Sequence, residues 1–132
     1  SIYSEVVGDL ELVGDYCKDI LERVQIKIDE KLLFSLEAVK EYQELYRISE
    51  AALKEIADSL HDNDYSSLEK ILKNKRDVDS LVDDYRKKHT ERLVDGTCNP
   101  RAANMFLNMV DFAASVYKRA VKIAMDLQKI KQ

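Results

Sequence analysis

Three acidic side chains near the start of the chain have a spacing that could support chemistry. Glu11, Asp15 and Asp19 are each four residues apart, so on a helix they lie on one face, and Glu22 continues the line. Like charges at this spacing destabilise an isolated helix by roughly 0.2–0.5 kcal/mol per pair. A bound cation, a basic neighbouring helix or solvent screening could each compensate. The pattern therefore fits a metal site, an ion-paired face or a solvated acidic face.

An apolar stripe runs along the opposite side of the same predicted helix. Its members are Val6, Leu10, Val13, Cys17, Ile20 and Val24. Apolar residues at steps of three and four predict a helix that buries this side. Cys17 is therefore expected to be a small core residue, whereas Cys98 falls in a predicted turn as a free thiol. These two cysteines form neither a disulfide framework nor a zinc spacing, and they fit a reducing cytoplasm.

The sequence contains no other arrangement that is typical of catalysis. A di-iron carboxylate bundle uses Glu-x-x-His on two helices, and the nearest match is a single spacing of Asp58 to His61 at a predicted helix end. No nucleotide-binding glycine loop, nucleophile elbow or Cys-x-x-Cys motif occurs. His61 and His89 lie among charged residues and are expected at the surface. These observations predict a protein that is not an enzyme.

Composition limits both the fold and the partners. The 132 residues include three glycines and one proline, which favours long helices over strands. The net charge of −4 argues against nucleic acid as a partner, and no apolar stretch is long enough to span a membrane. Residues 1–30 hold eight acidic and three basic side chains, whereas residues 99–132 hold two acidic and six basic ones. The two ends could pair across a bundle or face different partners.

Helix start and stop signals divide the chain into four long segments. They cover about residues 2–28, 35–60, 66–93 and 99–129. Ser35 and Ser66 are candidate N-caps for the second and third segments. Gly96 is a stop signal, and Asn99 followed by Pro100 is a start signal. Four helices joined by short turns predict an all-α fold, an antiparallel bundle of four long helices in a single domain over residues 1–132.

Several motifs resemble those of the PhoU-like domain family. In chain order they are Asp9-Leu10-Glu11-Leu12-Val13-Gly14-Asp15-Tyr16, Phe34-Ser35 with Glu37-Ala38, Asp77-Val78-Asp79-Ser80-Leu81, His89-Thr90-Glu91-Arg92-Leu93 and Gly96-Thr97-Cys98-Asn99-Pro100. The last three are most similar to the version fused behind sodium/phosphate cotransporter-type membrane domains. The fourth segment aligns with a second copy of the first motif through Phe106-Leu107 and Ala120-Val121 with Ile123-Ala124. The resemblance extends from the start to about Met125.

The resemblance implies a fold of two three-helix repeats. Residues 1–28 would be the last helix of a first repeat, and residues 35–129 would be the second repeat. The first segment also begins without an evident cap, so we expect the protein to continue upstream of Ser1. The missing helices would leave an apolar face that this chain could bury by forming a homodimer.

In function, the resemblance implies a non-enzymatic regulatory domain of phosphate transport. We expect the cytoplasmic tail of a sodium/phosphate cotransporter-type protein, associated with the membrane through its parent protein. Its partner would be the membrane domain of the transporter or a phosphate-regulatory protein. The alternatives are a generic helical interaction scaffold unrelated to phosphate and, third, a metal-dependent enzyme built around the acidic helix.

Some PhoU-like proteins bind iron or zinc clusters at the Glu-x-x-x-Asp motif. The resemblance therefore makes Glu11 and Asp15 candidate metal ligands, with Asp19 as a third donor. Hard and borderline divalent ions favour carboxylate oxygens, but one pair at this spacing binds weakly without further donors.

The second copy of the motif departs from the family pattern. Its aligned acidic and amide positions are Ala114, Lys118 and Lys122, so two oxygen donors have become cations. A multinuclear cluster is therefore not expected. Lys118 or Lys122 could instead neutralise acids on a neighbouring helix. Lys118, Arg119 and Lys122 could also dock on an acidic partner or on the anionic inner leaflet of a membrane.

Overall fold

The computed structural model describes residues 1–130, and nearly all of them are helical. The helices are α1 (Ile2–Asp29), α2 (Leu36–Asp62), α3 (Glu69–Lys73), α4 (Lys75–Val94) and α5 (Pro100–Gln128), with a 3-10 turn at Ser66–Leu68. No strand occurs within residues 1–130. The prediction of an all-α helical bundle is confirmed at this level. None of the described helices combines the length and apolar character that crossing a membrane requires.

Local capping explains where α2 and α5 begin. The Ser35 hydroxyl accepts a hydrogen bond from the backbone N–H of Ala38 at 3.1 Å. The Asn99 side-chain oxygen accepts one from the N–H of Arg101 at 2.8 Å, and Pro100 takes the first helical position. Both predicted starts are confirmed.

The first helix begins at Ile2 as predicted, but its predicted lack of a cap is wrong, and so is the predicted start of the third segment. Ser1 caps α1, because its hydroxyl accepts a hydrogen bond from the N–H of Ser4 at 3.3 Å, so the first helix does not begin uncapped. The third segment is not one continuous helix, since it opens with a 3-10 turn and is interrupted at Asn74 between α3 and α4. Ser66 lies inside that turn and donates its own N–H to the Asp64 carboxylate at 3.0 Å.

Helix α5 is the centre of the bundle. It packs against every other helix, whereas α2 and α4 also pack on each other and α1 packs mainly on α5. The fully buried residues of α5 are Ala103, Phe106, Val110, Ala120, Ile123, Ala124 and Leu127. Ion pairs place Glu30 beside Arg101 and Glu5 beside Lys122, so α1 and α5 run antiparallel.

The buried face of α1 agrees only in part with the predicted stripe, because it is turned toward Asp9. Val6, Asp9 and Val13 are buried, whereas Leu10 and Cys17, both predicted in the core, are exposed. Two basic side chains of α5 bind the Asp9 carboxylate and hold that side of α1 against α5. The ion pairs therefore decide which face of the helix is buried.

Candidate functional site

A cluster of ion pairs around Asp9 joins α1 to α5. Asp9 is only 4% exposed, and its two carboxylate oxygens lie 3.1 Å from Arg119 Nη1 and 3.2 Å from Lys122 Nζ. The Lys122 amine also lies 2.9 Å from Glu5 and 3.2 Å from Asp126. Hydrogen bonds to Glu5, then Asp9, then Asp126 raise the pKa of Lys122. The expectation that Lys122 neutralises acids on a neighbouring helix is confirmed.

The three predicted metal ligands lie along the outer side of α1. Glu11 and Asp15 are exposed and Asp19 is half-buried. Within residues 1–130, no group of three or more His, Cys, Asp or Glu side chains is placed to hold a metal ion. Iron or zinc binding at the Glu11–Asp15 pair stays a prediction, and it would depend on two carboxylates from one exposed helix face.

The three predicted docking residues of α5 have different surroundings. Arg119 and Lys122 are engaged with α1, while Lys118 is exposed and forms no ion pair with any described residue. Lys118 lines a groove of about 520 Å³ between α4 and α5. The other charged residues of this groove are Lys75, Asp79, Asp83, Arg86 and Asp111. Because both signs of charge line it, the groove does not form a purely basic surface.

His89, predicted at the surface, is buried against α5. Its imidazole is 1% exposed and stacks on Phe106 with ring centroids 4.7 Å apart. Nδ1 lies 3.5 Å from the Arg92 guanidinium, and Nε2 has no partner of regular hydrogen-bond geometry among the described residues. Burial and, second, Arg92 lower the pKa of His89, opposed by an interaction with the backbone of Ala103. The ring is therefore neutral at pH 7.

Arg92 fastens α4 to α2. Its guanidinium lies 2.8 Å from the buried Glu41 carboxylate and 3.4 Å from Glu37. About two turns before Arg92 on α4, the Tyr85 hydroxyl donates a hydrogen bond to Glu44 at 2.7 Å. Burial and this hydrogen bond raise the pKa of Tyr85, so its hydroxyl stays protonated. These groups bond to each other across the helix interface, which is the arrangement of a structural cluster.

One end of the bundle is strongly apolar, a feature that helical periodicity does not reveal. Leu33, Leu36 and Val94 are 83%, 82% and 80% exposed, more than the other large apolar side chains. They share one end because Glu37, next to Leu36, pairs with Arg92, two residues before Val94. The sequence signal is an apolar residue inside a turn, Leu33, where polar residues are usual. We refer to these three residues as the apolar end.

The described residues thus present an ion-paired α1–α5 interface, a groove of mixed charge and an apolar end. The first two involve the residues that the sequence singled out, and the third does not. Compared with protein-family models, with curated proteins and with solved structures, the chain has no match in any of the three.

Proposed function

We propose that the chain is a non-enzymatic, PhoU-like regulatory domain of phosphate transport. In this proposal it acts in the cytoplasm as part of a sodium/phosphate cotransporter-type protein. The order of its sequence motifs supports the functional class. The apolar end supports the mode of action, because apolar side chains clustered on a surface mark contacts with protein or membrane. We propose that this end docks on the membrane domain of the transporter.

The charges around the apolar end favour docking there. Glu30 pairs with Arg101 and Glu37 pairs with Arg92 at the same end of the bundle. These two pairs neutralise four of the charges at this end, which lowers the cost of covering them with a partner. The basic residues of α5, by contrast, already compensate acids of α1.

The test is sodium-dependent uptake of radiolabelled phosphate by cells that express the parent protein. Leu33→Asp combined with Leu36→Asp should make the uptake rate insensitive to phosphate supply, because the domain no longer docks. Leu60→Asp is the control, since it changes an exposed leucine at the opposite end of α2, away from the apolar end. Regulation that survives the paired substitution would contradict docking through this end.

The second candidate function is a helical interaction scaffold unrelated to phosphate. The apolar end favours it as well, because a protein partner of any pathway could cover that surface. Deleting residues 1–132 from the parent gene separates the two functions. Phosphate uptake that keeps its normal regulation without these residues would reject the phosphate proposal and leave the scaffold.

A further inference from the structure

A second apolar surface lies along α1, on a side that does not face α5. Its members follow one another at alternating steps of four and three residues: Tyr3, Val7, Leu10, Gly14, Cys17, Leu21, Val24 and Ile28. All except Val24 are exposed, and four of them are more than half exposed. A repeat of seven residues is the pattern of a coiled-coil seam, whereas exposed apolar residues are usually scattered. We call this surface the α1 stripe.

Helix α2 leaves the α1 stripe uncovered. A shallow apolar groove of about 170 Å³ runs between α1 and α2, with α5 as its floor. Cys17 and Ile20 line it from α1, Tyr46 and Leu53 from α2, and Val116 from α5. Because α1 packs mainly on α5, α2 does not cover the stripe.

Charges along the outer edge of the stripe indicate what covers it. This edge carries Ser4, Glu11, Lys18 and Gln25, which follow one another at steps of seven residues. Residues at this heptad position face each other across the seam of an antiparallel coiled coil. If two copies of α1 pair antiparallel about a midpoint between residues 15 and 16, Glu11 faces Lys18 of the second copy. The same pairing occurs twice, because the interface is symmetric.

The same register also matches the apolar residues. It sets Leu10 against Leu21 of the second copy, and Gly14 against Cys17. Gly14 has open space around its Cα, with nothing within 4 Å of the position that a Cβ would take. A glycine at this point lets the two helices approach closely near the symmetry axis.

Parallel pairing of the same stripe does not match charges. The inner edge of the stripe is the side next to α5, which includes Val6 and Val13. In a parallel coiled coil the outer edge of one helix faces the inner edge of the other. Parallel pairing would therefore set Glu11 against Val6 and Lys18 against Val13 of the second copy. Each charge would then be partly desolvated beside an apolar side chain and left without a partner. The sequence of α1 is therefore self-complementary in the antiparallel direction.

We propose that the α1 stripe is a homodimer interface in which two copies of this chain pair antiparallel through α1. Glu11 of each copy then bonds Lys18 of the other, and the apolar residues of the stripe are buried between them. The interface is distinct from the apolar end, so it does not depend on the proposed role in phosphate transport.

Charge exchange on the full chain tests the pairing, with the dimer dissociation constant measured by analytical ultracentrifugation. Glu11→Lys alone and Lys18→Glu alone each create two like-charge contacts and should weaken the dimer about tenfold. The double variant restores opposite charges and should return to within about threefold of the unmodified chain. Leu21→Asp should give a monomer, whereas Leu33→Asp, which changes an even more exposed leucine outside the stripe, should leave the dimer intact.

Cross-linking then tests the direction of the helices. In a background of Cys17→Ser and Cys98→Ser, Ser4→Cys protein mixed with Gln25→Cys protein should form a mixed disulfide dimer, because the two positions face each other only in antiparallel pairing. Self-cross-linking of Tyr3→Cys protein would instead indicate parallel helices, because this stripe residue faces its own copy only in parallel pairing. A monomer at a concentration of hundreds of micromolar, or a double charge variant no tighter than the single ones, would overturn the proposal.

Discussion

Asp9 shows how a buried carboxylate can set the packing of a helix. Its partners Arg119 and Lys122 come from α5, and loss of the carboxylate charge removes the acid that Arg119 pairs with and one of the three acids around Lys122. We expect Asp9→Asn to lower the free energy of unfolding by about 1–3 kcal/mol, measured by urea denaturation at fixed protein concentration. Asp15→Asn, on the exposed side of the same helix, should change it by less than about 0.5 kcal/mol. Equal losses in the two variants would contradict this role for Asp9.

His89 should make stability depend on pH. Its pKa is lowered in the folded chain, so between the folded value and the ordinary value of about 6.5 the unfolded chain binds more protons. The neutral His89 ring makes its full contribution to the free energy of unfolding above about pH 6.5. This contribution is lost as the pH falls toward the folded pKa, by at most about 1.4 kcal/mol per pH unit. The urea concentration at the midpoint of unfolding should therefore decrease for the unmodified chain as the pH is lowered across this range.

Two substitutions isolate the contribution of this ring. His89→Gln should flatten the pH profile over the stated range, because the neutral amide does not titrate. His61→Gln changes an exposed histidine and should leave the profile as it is. Glu37 and Glu41 lie near Arg92, but both residues are present in the unmodified chain and in both variants. The comparison therefore isolates the effect of His89. An unchanged profile in His89→Gln would show that other groups cause the dependence.

Among the elements, α1 and the α4–α5 turn use glycine in opposite ways. Gly8 lies inside α1 with nothing within 4 Å of an added Cβ, so Gly8→Ala should raise the free energy of unfolding by about 0.5–1 kcal/mol through helix propensity. Gly96 has φ +72, a conformation that strains other residues. Gly96→Ala should therefore lower stability by about 1 kcal/mol. Thermal unfolding measures the stability of both variants. A change of the same sign in the two variants would contradict the different roles given to Gly8 and Gly96.

Helix ends could be predicted from the sequence where the signal is local. Ser35 and Asn99 accept hydrogen bonds from residues within three positions, so short motifs sufficed. The start at Ser66 was wrong because a 3-10 turn, held by the Asp64 carboxylate, competes with a helix start. The elements could therefore be predicted mostly from residues that are close to each other in the chain.

The orientation of those elements depends on residues that are distant in the chain. Asp9 and Arg119 are 110 positions apart, so the rotation of α1 could not be read from its own periodicity. Burial of His89 likewise depends on Phe106, which supplies the stacking surface. One member of the ion-pair cluster around Asp9, Lys122, could be predicted from the sequence. The first segment of the chain is acidic and the last is basic, which favours pairing between them. Its geometry required the fold.

In the whole molecule, α1 is the long helix that has the fewest buried residues. Only Val6, Asp9 and Val13 of α1 are buried, against more than half of α5. We expect backbone amides of α1 to exchange with deuterated water faster than those of α5, since few buried contacts permit local opening. Mass spectrometry of the exchanged peptides measures this difference. Slower exchange in α1 than in α5 at low protein concentration would contradict it.

Of the described helices, the central one is synthesised last. Residues 1–99 emerge without the surface on which α1, α2 and α4 pack, so these segments cannot bury their apolar sides during most of synthesis. Contacts as distant as Asp9 with Arg119 form late, because a long loop must close first. A message truncated before Pro100 would yield a chain without a core rather than a smaller folded protein.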